Sequence, residues 1–138
     1  MYRPKIWLAI IVVTLMSACT QTQDVRGKPV PTAFFVFFEE GSAEPMKESK
    51  AIFDEAAAYL KQYDNTTARV VGHISTEEAS ESLDQERASR VAEELVKRGA
   101  LAARLQLLGV GDKEKITGVG GNSDSAVDRR VEILFNAM

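Results

Sequence analysis

Residues 82–98 of this chain read SLDQERASRVAEELVKR. Leu83, Val91 and Leu95 recur at helical spacing and form one apolar stripe, so the stretch predicts an amphipathic helix. Arg87 interrupts the stripe, because it lies four residues after Leu83 and four before Val91. A guanidinium there costs free energy unless it is paired or lies at the edge of the stripe. Two interpretations stay open. Arg87 either snorkels or closes a structural ion pair, or its planar charged fork receives an anion such as a carboxylate.

The segments on either side of this helix predict a four-stranded sheet. An aromatic run comes first, a helical pattern over residues 45–63 follows it, and three more β-favouring runs lie further along the chain. The predicted strands are residues 33–39 (AFFVFFE), 68–74 (ARVVGHI), 104–110 (RLQLLGV) and 129–135 (RRVEILF). The element order βαβαββ implies an α+β fold, with helices packed on one face of a single mixed sheet.

The N-terminus predicts an export signal that ends at a cysteine. Two positive charges precede an apolar run of 11 residues, and the small residues Ser17 and Ala18 then precede Cys19. This order is typical of a secretory signal, and the run is shorter than the roughly 20 apolar residues that a transmembrane helix needs. Residues 16–19 (MSAC) resemble a bacterial lipobox. The alternative is an ordinary signal peptide with a chance cysteine at the cut.

The lipobox resemblance implies a division of the chain into three parts. Residues 1–18 are expected to be a lipoprotein signal peptide, and residues 19–32 a lipidated N-terminus and flexible tether. Residues 33–138 form the folded domain. Cys19 would carry acyl chains such as palmitate, and more than one chain gives stable membrane attachment. Thr20 follows the cysteine where an aspartate would resemble an inner-membrane retention signal, so the outer membrane is expected, with the domain in the periplasm.

Composition excludes several classes of function. The formal net charge is −3, and this mild acidity argues against nucleic-acid binding, which would need a dense basic face. With one cysteine and one histidine, the chain can form neither an intramolecular disulfide nor a His/Cys metal cage. No Ser/His/Asp or Cys/His arrangement suggests a catalytic nucleophile. We therefore expect a protein that is not an enzyme and has no metal or cofactor.

Three further groups of polar residues can be given an expected role from their positions in the predicted elements. His73 ends the second predicted strand, where a hydrogen-bonded structural histidine is the expected role. Arg129 and Arg130 open the last strand, and because successive strand residues face opposite ways, one of them can face the core side. An acidic run precedes and opens the second helix, where acids favour the positive end of the helix dipole. Its members are Glu77, Glu78, Glu81 and Asp84.

Five short stretches together resemble the OmpA C-terminal domain family, which includes peptidoglycan-associated lipoproteins and flagellar motor stator domains. They are residues 36–43 (VFFEEGSA), 72–75 (GHIS), 83–88 (LDQERA), 108–112 (LGVGD) and 128–133 (DRRVEI). Each is weak singly, but five in this order are specific to the fold. The resemblance implies an OmpA-like βαβαββ sandwich over residues 36–135. It also implies a non-covalent clamp on peptidoglycan that holds the carboxylate and the amine of a diaminopimelate side chain.

The resemblance also assigns roles to particular residues. Arg87 matches the arginine of the family motif Leu-Ser-x-x-Arg-Ala, which meets the ligand carboxylate. The family motif Gly-His-Thr-Asp stands here as residues 72–75, so that Ser75 replaces the aspartate that meets the ammonium group. The interval from this motif to Arg87 is also shorter than in typical members. Glu77 or Glu78 is a candidate for the missing acid. The predicted peptidoglycan-binding residues are Arg87, Ser75, His73, Arg130, Glu77 and Glu78.

The expected function is that of an outer-membrane lipoprotein whose periplasmic domain binds peptidoglycan and links the membrane to the cell wall. Its partners would be peptidoglycan, the outer membrane through the lipid, and other envelope proteins. The alternative is an OmpA-like envelope subunit that has lost diaminopimelate binding and serves protein–protein assembly. A hydrolase that uses the acidic loop is the remaining hypothesis.

Overall fold

The fold is a single sheet whose elements follow the predicted order, as seen in a computed structural model that describes residues 33–78, 80, 82–114 and 126–137. The strands are β1 (Ala33–Phe37), β2 (Thr66–His73), β3 (Leu105–Gly111) and β4 (Arg130–Ala137). The helices are α1 (Lys50–Gln62) and α2 (Leu83–Lys97), with short 3-10 turns at Lys47–Ser49 and Ala102–Arg104. The predicted signal peptide, Cys19 and the tether lie outside the described residues, as do Glu81 and residues 115–125.

The four strands form one mixed sheet in the order β1-β4-β2-β3. β2 and β3 run parallel, which requires the crossover that α2 provides, whereas β4 runs antiparallel to both β1 and β2. The last strand of the chain therefore lies in the middle of the sheet. This order brings the C-terminal end of β2 beside the start of β4, where several of the predicted site residues lie.

Both helices pack on one face of the sheet. The core is built from the inward side chains of three strands and from the apolar stripes of α1 and α2. Its largest contributors are Val36, Phe38, Val70, Val131 and Ile133 from the strand side, and Phe53, Leu60, Val91 and Leu95 from the helices. The predicted α+β architecture is confirmed. Neither α1 nor α2, the helices of the described part, is long and apolar enough to span a membrane.

The element ends lie within two residues of their predicted bounds except at the start of α1. Gly99 follows α2 with φ of +97°, the left-handed conformation that favours glycine at a helix end. The first helix was predicted to start at residue 45, but α1 begins at Lys50. Pro45 instead forms an isolated bridge with Phe38, and the N–H of Met46 donates to the carbonyl of Phe37. The chain thus stays extended beside β1 before it turns into the helix.

Two glycines allow the start of α2 to lie directly against the sheet. A Cβ atom on Gly72 would lie 1.9 Å from the backbone oxygen of Asp84, and one on Gly109 would lie 2.5 Å from the Asp84 carboxylate. That carboxylate also accepts a hydrogen bond from the N–H of Gly111 at 2.8 Å. Asp84 therefore fixes the first turn of α2 on β2 and β3. Arg87 follows within one helical turn, so this contact also sets its position.

Candidate functional site

Arg87 is the centre of a buried polar cluster. Its side chain is fully buried, and all five of its N–H groups donate to oxygen. Three bonds go to main-chain carbonyls, those of Ser42 (2.8 Å), His73 (3.1 Å) and Glu39 (3.1 Å). The other two go to the carboxylate of Glu78, with Nη2 at 2.6 Å from Oε1 and Nη1 at 2.8 Å from Oε2. The arginine is thus paired within the chain and does not snorkel.

The Glu78 carboxylate is as completely bonded as the arginine. Oε1 also accepts the N–H of Gly41 at 2.8 Å, and Oε2 accepts the N–H of Ser75 at 2.9 Å. Each oxygen therefore receives one guanidinium donor and one amide donor. Burial alone would raise the pKa of Glu78, but the hydrogen bonds from Arg87, Gly41 and Ser75 outweigh burial and lower that pKa below its ordinary value. Both groups are charged, and the pair as a whole carries no net charge.

Three segments of the chain build this cluster. The loop after β1 contributes the carbonyls of Glu39 and Ser42 and the N–H of Gly41, whose φ of +67° favours glycine. The loop after β2 contributes Glu78 and the Ser75 N–H, and α2 contributes Arg87. The Phe38 ring lies against the guanidinium, with its centroid 5.1 Å from Cζ, which adds a cation–π contact. The loop after β1 was missed as part of the site, although residues 36–43 are among the stretches that carry the family resemblance.

The structure distinguishes between the two glutamates proposed as the replacement acid. Glu78 is buried and reaches Arg87, whereas Glu77 is exposed. Ser75 is fully buried and contributes its main-chain N–H, while its hydroxyl oxygen has no hydrogen-bond partner among the described residues. Of the two candidates, Glu78 binds the arginine itself and does not face it across an open space.

His73 and Arg130 form a second cluster that is joined to the first through the main chain of His73. The imidazole is buried, and its Nε2 lies 3.5 Å from a carboxylate oxygen of Glu132. Arg130 is also buried and donates to the same carboxylate at 2.6 and 2.7 Å, with Asp128 at 3.6 Å. Burial first, and then the charge of Arg130, lower the pKa of His73, against the opposing effects of Glu132 and Glu114. His73 is therefore neutral near pH 7. The expected hydrogen bonds of a structural histidine are not found, because neither ring nitrogen has a hydrogen-bond partner among the described residues.

Two other features lie outside these clusters. Within the described ranges, no three His, Cys, Asp or Glu side chains are grouped so as to hold a metal ion. An apolar groove of about 530 Å³ runs between α2 and the edge strand β3, with Val96, Ala102 and Leu107 among its lining residues. None of the predicted site residues lines this groove.

Comparison with known proteins identifies the family. The family model described as "OmpA family" matches residues 37–129, which is most of the folded domain. This chain belongs to the OmpA family. The resemblance drawn from five short stretches is thereby confirmed, and so is the fold that it implied.

Three relatives show the range of OmpA-family proteins that the chain is similar to. It is 34% identical over 84 residues to outer membrane porin F of Pseudomonas fluorescens, a match that covers 59% of this chain and 26% of the porin. It is 28% identical over 106 residues to the probable lipoprotein YiaD of Escherichia coli K12, covering 75% of this chain and 48% of that protein. The chain thus spans about a quarter and about half of the length of these relatives.

The third relative is a solved structure. The peptidoglycan-associated lipoprotein from Burkholderia pseudomallei superposes with a TM-score of 0.66 and 26% identity, over 74% of this chain and 89% of that one. Here the chain covers nearly the whole of the matched domain. The similarity therefore concerns the complete OmpA-like unit.

Proposed function

We propose that this protein is an outer-membrane lipoprotein whose periplasmic OmpA-like domain attaches non-covalently to peptidoglycan. The observation that carries the proposal is Arg87, whose buried fork presents two parallel N–H groups to a carboxylate where two loops meet α2. The peptidoglycan side chain offers a free carboxylate of this kind where it contains diaminopimelate. The domain is a binding module in which no covalent bond is made or broken.

The membrane end of the link is Cys19. After removal of residues 1–18, its thiol and new amino group would carry the acyl chains, and residues 19–32 would connect them to β1. The names of two relatives, a probable lipoprotein and a peptidoglycan-associated lipoprotein, support this arrangement. Incorporation of labelled palmitate in cells, and its loss in Cys19→Ser, tests this part of the proposal by itself.

Ligand binding at Arg87 involves an exchange of carboxylates. The ligand carboxylate replaces that of Glu78, so the number of ion pairs at Arg87 does not increase. Ser75 is neutral and offers no charge to a ligand ammonium group. Both features predict that this domain holds peptidoglycan less tightly than a member with an open arginine and the usual aspartate.

The closed state of the cluster favours a second candidate function. Every N–H of Arg87 and both oxygens of Glu78 are satisfied within the chain, so the described structure is complete without a ligand. In this case the domain has kept the fold and serves protein–protein assembly in the envelope. Crosslinking in cells distinguishes the two: protein partners without muropeptides support assembly, and muropeptides alone support wall attachment.

Sedimentation with purified sacculi is the direct test of wall attachment. The fragment 20–138 should co-sediment, and the loss of both charges in Arg87→Met with Glu78→Leu should abolish binding while leaving an apolar pair that can pack. Arg90→Ala is the matched control, because Arg90 lies on the same helix in exposed ion pairs with Glu44 and Glu93. Equal sedimentation of all three proteins, or none by the unmodified fragment, contradicts the proposal.

A further inference from the structure

We propose that Glu78 is an internal ligand, which occupies a preformed carboxylate site, and that removal of its side chain opens this site to small free carboxylates. The site consists of the Arg87 fork and the main-chain N–H groups of Gly41 and Ser75. This inference goes beyond wall attachment, since it holds for either of the functions considered above.

The donors of the site are held in place without Glu78. Arg87 is fixed by three carbonyl acceptors that lie on other segments, at 2.8 to 3.1 Å. The Gly41 N–H belongs to a turn closed by a bond from the Ser42 N–H to the Glu39 carbonyl. Ser75 follows Ile74, whose N–H donates to the carbonyl of Gly111 at the end of β3. Four converging N–H groups therefore remain aimed at one point when the carboxylate is taken away.

Apart from its carboxylate, Glu78 is held by main-chain turn contacts. It belongs to no helix or strand, and it is held by a turn in which its N–H donates to the Ser75 carbonyl at 3.2 Å. Its carbonyl accepts the N–H of Ser80 at 2.9 Å. The role of this residue in the cluster thus lies in its carboxylate, and a free carboxylate can reproduce the same four bonds.

The space that opens at the site has the size of the atoms that the substitution of Glu78 removes. Glu78→Ala removes a CH₂–COO⁻ group, which has the heavy atoms of acetate. It also leaves Arg87 buried and unpaired, a state that is costly for the folded protein. Acetate should fill the space and neutralise the charge. Acetamide has the same shape without the charge, and chloride has the charge without the two oxygens.

The test is the thermal unfolding of Glu78→Ala at constant ionic strength while chloride is replaced by acetate. We expect the Tm of this variant to lie below that of the unmodified protein and to rise with acetate concentration, because a ligand that binds only the folded state stabilises it by mass action. The unmodified protein, and the variant Glu78→Ala with Arg87→Met, should show no specific rise. An acetate response in Glu78→Ala no larger than in these two controls overturns the inference.

Two further measurements keep the test decisive. If Glu78→Ala does not fold in chloride, the yield of refolded protein in acetate becomes the readout, and failure in both salts counts against a preformed site. If it folds, amide chemical shifts of Gly41 and Ser75 should move with acetate and stay constant with acetamide. Loss of sacculus binding would contradict wall attachment and leave this result unchanged, so the two failures can be told apart.

Discussion

The carboxylate of Glu78 and the guanidinium of Arg87 form a two-pronged ion pair inside the domain, with distances of 2.6 Å between Oε1 and Nη2 and 2.8 Å between Oε2 and Nη1. This pair explains how a charged side chain can interrupt the apolar stripe of α2. Both groups are buried, so bulk water does not weaken the pair. The same pair closes the place where a ligand carboxylate would bind, so stability and binding are linked at one contact.

Removal of one partner from this pair should destabilise the domain strongly. Arg87→Ala leaves the Glu78 carboxylate buried beside only two amide donors, and breaking a buried ion pair in this way costs about 3–5 kcal/mol. The measurement is urea unfolding of the 20–138 fragment. Arg90→Ala is the control, since exposed ion pairs contribute about 1 kcal/mol or less. Similar losses for the two variants would show that the buried pair is no stronger than a surface pair.

Replacement of Gly72 should be more harmful than replacement of Gly109. A Cβ atom on Gly72 would meet the main-chain oxygen of Asp84 at 1.9 Å, so α2 itself must move. On Gly109 the obstacle is the Asp84 side chain at 2.5 Å, which can rotate away and lose its bond to Gly111. We expect Gly72→Ala to cost about 1–3 kcal/mol or more, as overpacking does, and Gly109→Ala to cost less. The measurement is the urea unfolding midpoint of each variant. A higher midpoint for Gly72→Ala than for Gly109→Ala would contradict this account of the two glycines.

Acidification should destabilise the domain in two separate steps. The pKa of His73 is lowered in the folded state, so as pH falls through about 6.5 the unfolded chain takes up the proton first and stability declines. The pKa of Glu78 is also lowered, and its contribution is present above the unfolded value near 4.5 and is lost as pH falls through the folded value. Unfolding free energies from pH 8 down to about pH 2 should show both steps, because the lower step lies below the unfolded pKa of Glu78. His73→Gln should remove only the upper step. A flat profile between pH 7 and pH 5.5 would exclude a buried neutral His73.

The fold could be predicted from local sequence patterns, because each helix and strand shows its own spacing of apolar residues. The stripe of Leu83, Val91 and Leu95 predicted a helix over residues 82–98, which is within one residue of the observed α2 at either end. The predicted start of α1 was wrong, because the bridge between Phe38 and Pro45 is a tertiary contact that no local sequence pattern indicates.

The candidate site could be predicted only in part. Arg87 could be recognised as a charge inside an apolar stripe. The motif around His73 located the end of the strand, where the His73 carbonyl accepts a hydrogen bond from Arg87. Sequence alone left Glu77 and Glu78 equivalent, because the turn that buries one of them depends on how three segments meet. The carbonyls of the loop after β1 carry no side-chain signal and were therefore missed.

The Ser75→Asp substitution combined with Glu78→Ala should convert the closed cluster into a stronger peptidoglycan site. Glu78→Ala frees the Arg87 fork for a ligand carboxylate, and an aspartate at position 75 supplies the acid that family members present to the ammonium group. Each charge-assisted hydrogen bond gained is worth about 1.5–3 kcal/mol, so binding to sacculi should tighten by about tenfold or more. Ser75→Asp alone should not show this gain, because it places a second carboxylate beside Glu78, whose Oε2 lies 2.9 Å from the Ser75 N–H. Sedimentation isotherms with purified sacculi provide the measurement, and circular dichroism confirms that each variant is folded. If Ser75→Asp alone binds as tightly as the double variant, Glu78 does not close the site.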